Sequence, residues 1–226
     1  MAFRPPQRSP KQSKQRGLSP RQRCPFPSTN PKPGKPTSRD PRMKILTLAI
    51  EPQLIEHARR DCIAEIERQF GGDFARRRIR VPLFPSDSIT RIVDKLTTIL
   101  GLPFRTDRSG VQLQQPDGRH GQQWHQDWGT MANPHAVGIT AWIPLDPIDG
   151  TRPSLEFAGE LPPLAHEYDS RGYALTSHPE LAIHPTPLLN LNIGDVVTFG
   201  PRELHRTFVA PTMTQSRLSL DLRFIQ

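Results

Sequence analysis

The sequence predicts an α+β domain in which two helices come first and a sandwich or barrel of short strands follows. Three observations predict it. Apolar residues recur at helical spacing over Pro52–Phe70 and again over Ile89–Leu100. From Gly110 onward the pattern changes to short β-runs separated by Gly, Pro, Asp and Asn. Residues 1–42 show neither pattern. Helices first and strands afterwards place the helices against one sheet of the β-unit.

Taken in order, residues 1–42 are rich in Pro, Arg, Lys, Gln and Ser and nearly free of aliphatics. Such a segment buries too little apolar surface to offset its ordering entropy, so it reads as disordered. It holds 11 Lys or Arg against the single acid Asp40, about +10, so a formal net charge of +8 leaves the rest of the chain near −2. The basic balance therefore belongs to the tail. A solvated tail is the simpler reading, and a nucleic-acid arm is the alternative. The predicted folded unit spans 43–226. Lys44–Ile50 reads as a strand. Leu54, Ile55, Ala58, Cys62, Ile63, Ile66 and Phe70 form the first helical stripe, stopped by Gly71-Gly72. Ser88 reads as the N-cap of the second helix, which Gly101 ends. The expected strands are Val111–Gln115, Gln123–Asp127, Ala136–Leu145, Ser154–Phe157, Leu188–Asn192, Val196–Phe199, Arg206–Val209 and Arg217–Ile225.

Two cysteines, Cys24 and Cys62, one in the tail and one in a helix, argue against a structural disulfide and fit a cytoplasmic setting. No apolar run reaches the roughly 18 residues needed to span a bilayer, and the basic start lacks the apolar core of a secretory signal.

The chemistry centres on Trp124-His125-Gln126-Asp127-Trp128. On a strand, residues two apart share a face, so His125 and Asp127 would present an imidazole and a carboxylate side by side. A His from a distant strand would complete two nitrogens and one oxygen on one side of a metal, the ligand set of non-haem Fe(II) oxygenases, with three positions open. His205 is placed for this, after the Gly194-Asp195 turn and the apolar run Val196–Phe199. A His-x-Asp tripeptide alone is weak, and a buried His–Asp hydrogen bond is the plain alternative. His57, His135, His166, His178 and His184 read as surface or capping residues, and His120 lies close enough to the site for a substrate contact.

Along Arg217–Phe224 the alternation is strict. Leu218, Leu220, Leu222 and Phe224 face one side, and Arg217, Ser219, Asp221 and Arg223 the other. Inward charge is costly unless paired. The expectation is that Asp221 and Arg223 balance each other near the rim. Arg217, with the Ser219 hydroxyl, is then left to grip a carboxylate from outside through its planar fork. These pieces fit Fe(II) held by His125, Asp127 and His205, with 2-oxoglutarate and O2 as cosubstrates and Arg217 on the far carboxylate.

WHQD (Trp124–Asp127), ITAWIPLD (Ile139–Asp146), SLEF (Ser154–Phe157), GDVVTF (Gly194–Phe199), His205 and RLS (Arg217–Ser219) resemble the phytanoyl-CoA dioxygenase family of Fe(II)/2-oxoglutarate oxygenases, over about half the chain. The resemblance implies a double-stranded β-helix (jelly-roll) core with N-terminal supporting helices. It implies iron ligands at His125, Asp127 and His205, a 2-oxoglutarate anchor at Arg217, and a cosubstrate contact from Gln112 or Gln114. The chain departs from the family at Ala158-Gly159-Glu160-Leu161, where a Pro-Gly-Ser-His-like loop is usual. The retained Asp127 disfavours a halogenase. The implied activity is hydroxylation of a small-molecule substrate with release of succinate and CO2, phytanoyl-CoA itself not being implied. Residues 158–187 read as part of a lid. Two other readings stay open: an oxidative nucleic-acid dealkylase, from the Arg217-to-Arg223 spacing and the basic tail, and a jelly-roll protein that binds metal without turnover.

Overall fold

In the computed structural model the described residues are 43–72, 78–116, 124–127, 138–160, 167–168, 174–175 and 185–225. All lie in the second of two units, Asp40–Gln226. The expectations for residues 1–42, for most of the 158–187 lid and for His120, His135, His166, His178 and His184 fall outside them. Among the described residues no helix is long and apolar enough to cross a membrane.

The chain runs β1 (Lys44–Leu46), α1 (Pro52–Phe70), β2 (Arg78–Pro82), α2 (Asp87–Leu100), β3 (Phe104–Gln114), β4 (Gly138–Pro144), β5 (Ser154–Glu160), β6 (Glu167–Tyr168), β7 (Ala174–Leu175), β8 (Thr186–Pro187), β9 (Val196–Phe199), β10 (Glu203–Phe208) and β11 (Arg217–Ile225). A six-stranded sheet has the order β1-β9-β4-β11-β3-β2, a three-stranded sheet the order β10-β5-β8, and β6 pairs with β7. Every ladder is antiparallel. This is the predicted α+β architecture, with two helices followed by the paired sheets of a double-stranded β-helix.

Both helices begin and end as their sequences dictate. Pro52 opens α1 where its missing N–H costs nothing. Gly71 closes it in the left-handed region at φ 63°, donating its N–H to the Glu67 carbonyl. The cap of α2 is Ser86, two residues ahead of the expected Ser88, and its hydroxyl accepts from the Ile89 N–H at 3.3 Å. Ser88 lies inside the first turn instead. Its hydroxyl and that of Ser86 both donate to Asp61 Oδ2, each at 2.6 Å, tying α2 to α1.

Two apolar cores follow from the alternation of the central strands. Leu54, Ile55, Ala58, Cys62 and Ile66 of α1 and Ile89, Ile92, Val93 and Leu96 of α2 pack on Val111, Leu113, Ala141, Ile143, Leu218, Leu220, Leu222 and Phe224. The opposite face of the large sheet meets the small sheet through Trp142, Leu155, Phe157, Val197 and Phe199. The helix-side face of β11 is thus wholly apolar, which leaves its polar side chains on the inter-sheet face.

Several boundaries differ from expectation. β1 stops at Leu46, because Leu48 turns the chain at φ 47°. The segment 188–192 is not a strand: the pairing with β5 falls earlier, at Thr186–Pro187, and beyond it Leu188 donates its N–H to the Leu155 carbonyl at 2.9 Å and Leu191 bridges to Ile148. β10 starts three residues earlier than expected, and β3 starts at Phe104 with a register shift opposite Asp221–Arg223. There Ser109 Oγ accepts from the Arg223 N–H at 2.9 Å and donates to the Arg105 carbonyl at 2.7 Å, so the irregular stretch keeps its hydrogen bonds. β2 was not anticipated, although Arg78-Ile79-Arg80-Val81 alternates. In the turn before β9, Gly194 sits at φ +98°, and a Cβ there would stand 2.3 Å from the Ile50 carbonyl oxygen.

Cys62 is fully buried in α1, and burial pushes its thiol up to about 12. The thiolate is the reactive form, so at pH 8 almost none is present. In a Cys24→Ser variant, a thiol reagent at pH 8 is expected to leave Cys62 unlabelled until denaturant is added. Fast stoichiometric labelling of the native protein would contradict this packing.

Candidate metal centre and cosubstrate pocket

His125 and His205 meet through the backbone. Each donates its N–H to the other's carbonyl, both at 3.0 Å, forming an isolated antiparallel bridge on the free side of β10. Residues paired this way carry their side chains on the same face, and the two imidazole centroids lie 4.3 Å apart. The expected strand 123–127 reduces to this bridge among the described residues. Asp127 lies just beyond it, so its side chain converges by a turn of the chain and not by the i, i+2 rule of a strand. Gln126 Nε2 donates to the Arg202 carbonyl at 2.7 Å and holds the turn to the loop before β10.

The three side chains are buried, and one ligand atom from each lies within 4.8 Å of the others. Their remaining atoms are committed elsewhere. His205 Nδ1 lies 2.9 Å from the Glu203 carbonyl. A carbonyl only accepts, so Nδ1 carries the proton and Nε2 is left with its lone pair. Asp127 Oδ2 accepts from Thr140 Oγ1 at 2.7 Å and faces Arg223 Nη2 at 3.1 Å. Oδ1 stands 3.9 Å from His125 Nε2. Burial works against the Asp127 carboxylate, but Arg223, then the two imidazoles and the Thr140 hydrogen bond, more than offset it and hold the carboxyl far below its ordinary range. Two imidazole nitrogens and a carboxylate oxygen on one side of a point form a set that suits Fe(II) with positions left open.

Arg223 departs from the expected rim position. It does bond Asp221, Nη1 to Oδ1 at 2.6 Å, but it is buried and reaches the proposed ligand Asp127 as well. Arg80 Nη2 approaches Asp221 Oδ2 to 4.0 Å, so charges alternate along Arg80, Asp221, Arg223 and Asp127. The physical reason is desolvation. A guanidinium at this depth needs acids on both sides, and Asp127 supplies the second.

Arg217 is placed differently, being 0 % exposed. Its Nη1 donates to the Ser154 carbonyl at 3.3 Å, and its Cζ lies 5.1 Å from the centroid of the Trp142 ring. Nε and Nη2 of Arg217 and Nε1 of Trp142 are buried with no hydrogen-bond partner among the described residues. Burial pulls the guanidinium down to about 9, with the nearby positive charge of Arg78 adding to the effect. At neutral pH it remains a cation, with Nε and Nη2 lacking an acceptor among the described residues. Such donors cost free energy unless an anion completes them, so the carboxylate of 2-oxoglutarate fits this end of the site by chemistry.

The remaining candidates are close to Arg217. Ser219 is buried, and its hydroxyl is 3.5 Å from the Gln112 carbonyl. Gln114 Nε2 donates to the Gln115 carbonyl at 3.0 Å. Gln112 accepts through its amide oxygen from Arg78 Nε and Nη2, at 2.7 and 3.0 Å, in the orientation that satisfies both groups. Thr140, Trp142 and Arg78 were not picked out from the sequence. Thr140 and Trp142 stand two apart in an otherwise apolar strand, a signal that inward alternation would have exposed.

No protein-family model matches the chain, and no curated protein matches it in sequence. Solved structures do match in fold. One is EvdO2 from Micromonospora carbonacea var. aurantiaca complexed with 2-oxoglutarate, at TM-score 0.59 and 20% identity over 82% of this chain and 87% of that one. Another is SnoN, a non-heme α-ketoglutarate-dependent epimerase from nogalamycin biosynthesis, at TM-score 0.57 and 17% identity over 81% and 76%. A third is the carbocyclase SnoK from the same biosynthesis, at TM-score 0.57 and 14% identity over 81% and 79%. This is the fold of the Fe(II)/2-oxoglutarate oxygenases. Within that oxygenase fold, this chain carries a buried His-Asp-His cluster at the bridge between β10 and the segment before it.

Arg223→Met keeps bulk but removes the cation beside Asp127. Losing such support for a ligand typically costs about 10- to 100-fold in metal affinity. A titration with Co(II) or Ni(II), followed by absorbance or calorimetry, should show that loss. Unchanged affinity would mean that Asp127 needs no partner.

Proposed function

We propose that this protein is an Fe(II)- and 2-oxoglutarate-dependent dioxygenase that hydroxylates a C–H bond of a small-molecule substrate. The observation that carries the reading is the pairing of the buried cluster of His125, Asp127 and His205 with the buried, acceptor-less donors of Arg217 on the same inter-sheet face. In this reading His125 Nε2, Asp127 Oδ1 and His205 Nε2 hold the metal. Fe(II) with 2-oxoglutarate and O2 supplies the oxidation: one oxygen atom goes to the substrate C–H bond, the other to succinate, and CO2 leaves.

The chain's own residues do the positioning. The Glu203 carbonyl keeps the His205 proton on Nδ1. Thr140 and Arg223 occupy Asp127 Oδ2 and aim Oδ1 at the centre. Arg217 grips the far carboxylate of the cosubstrate, with Trp142 Nε1 as a further donor and Ser219, Gln112 and Gln114 beside it. Phe157 and Phe199, whose ring centroids lie 5.8 and 4.6 Å from that of His205, keep water from one flank. EvdO2 was solved with 2-oxoglutarate, which supports this choice of cosubstrate. Among the described residues nothing at the site favours nucleic acid, since Arg223 is engaged by Asp127 and Asp221.

Succinate release from 2-oxoglutarate, screened over a metabolite library with Fe(II), tests the proposal. Wild type should turn over, and His205→Ala should fall to background because two ligands hold iron poorly. Full activity in the variant would remove His205 from the site, and a wild type that binds iron without forming succinate would point to the silent protein.

The Arg217 charge adds a pH dependence. Its proton is lost as pH rises through about 9, and only the protonated form attracts a carboxylate. Affinity of the Ni(II)-loaded protein for 2-oxoglutarate should therefore be flat from pH 7 to 8 and decline above about 9, a decline absent in Arg217→Met. A flat profile in wild type would separate Arg217 from the cosubstrate.

A further inference from the structure

Strand β2 brings an unforeseen cation to the inter-sheet face. Its register against β3 sets Arg78 opposite Gln114 and Arg80 opposite Gln112, while β11 sets Arg217 opposite Gln114 and Ser219 opposite Gln112. Arg78, Gln114 and Arg217 thus form one rung, and Arg80, Gln112 and Ser219 the next. Side chains on one rung share a face, so Arg78 stands on the Arg217 face. Its guanidinium leans one rung over and holds the Gln112 amide oxygen through Nε at 2.7 Å and Nη2 at 3.0 Å.

That contact decides which end of the amide is which. With the oxygen committed to a guanidinium, the Gln112 NH2 is turned away from Arg78 as a donor. Gln112 is buried, and its neighbour across β11 is Ser219. Arg78 is also close enough to Arg217 for its charge to act on that guanidinium. Two cations and an oriented amide donor on adjoining rungs match one ligand chemistry, a carboxylate.

We propose that Arg78 is a positioning residue of the cosubstrate pocket, orienting Gln112 as a donor and setting a second guanidinium beside Arg217 for the far carboxylate of a 2-oxo dicarboxylate. The inference rests on the oxygenase reading above and extends it to an edge strand outside the two β-helix sheets' central rungs. It assigns a task to Arg78 that the ligand cluster alone does not require.

The test is calorimetric binding to Ni(II)-loaded protein without turnover, using 2-oxoglutarate and 2-oxobutyrate, which lacks the far carboxylate. Arg78→Met should weaken 2-oxoglutarate about tenfold, as expected for losing a hydrogen bond to a charged group, and leave 2-oxobutyrate unchanged. Arg78→Lys keeps the charge but not the two-pronged hold on Gln112, so it should fall between. Gln112→Leu should weaken 2-oxoglutarate too, and the double variant Arg78→Met/Gln112→Leu should bind more tightly than the two separate losses multiplied would give. Wild-type affinity for 2-oxoglutarate in Arg78→Met, or equal weakening of both ligands, overturns the proposal. Should Arg78→Met fail to fold, wild-type affinity in both Arg78→Lys and Gln112→Leu overturns it. Arg217→Met separates the two levels: if it binds 2-oxoglutarate as wild type does, the oxygenase reading fails and this inference with it. If only the Arg78 and Gln112 variants bind normally, the inference alone fails.

Discussion

Two backbone hydrogen bonds between His125 and His205 are the constraint on which the site depends. They join a segment from the middle of the chain to a strand near its end, and they force two imidazoles onto one face at a separation set by strand geometry. The candidate ligand arrangement is thereby set by backbone pairing. Asp127 needs only a short turn to reach the same point. Outside the bridge, the Arg206 guanidinium lies 4.5 Å from the Trp124 ring centroid and is paired with buried Glu156, so the residue next to His125 is braced from the other side.

Burial then determines how the charges are arranged. The helices claim Leu218, Leu220, Leu222 and Phe224 of β11, so Arg217, Ser219, Asp221 and Arg223 are left between the sheets. Guanidinium groups there must find acceptors. Arg223 finds two carboxylates and becomes part of the support for Asp127. Among the described residues Arg217 bonds only a carbonyl, and its Nε and Nη2 are left without an acceptor. One alternating strand thus yields a cation paired with carboxylates and a cation held by a carbonyl, and the difference lies in what their neighbours present.

Much of this was legible in the chain. The helical stripes, the apolar face of β11 and the inward set on its other face follow from periodicity, because spacing alone dictates which residues share a side. His125, Asp127 and His205 were picked out by residue type and by the strand-like context of each. What was not legible depended on partners distant in sequence. The Arg80–Asp221–Arg223–Asp127 series cannot be read from β11, because Asp127 comes from another segment and Arg80 from an edge strand that was not anticipated. The cap of α2 was misplaced to Ser88 because Ser86 and Ser88 are both capable and both bond Asp61 on the other helix, and the hydrogen bond that Ser86 accepts from the Ile89 N–H distinguishes their roles.

The sequence by itself determined which side chains are available and which face of each element they occupy, since 3.6-residue and two-residue periods are local properties of the backbone. Tertiary structure alone decided which faces meet. Register between β2, β3 and β11, the bridge from His125 to His205, and the burial that leaves Arg217 with no carboxylate in hydrogen-bond reach among the described residues are products of long-range pairing. Electrostatics inside a protein depends on distance and desolvation, and neither quantity exists until the sheets have closed.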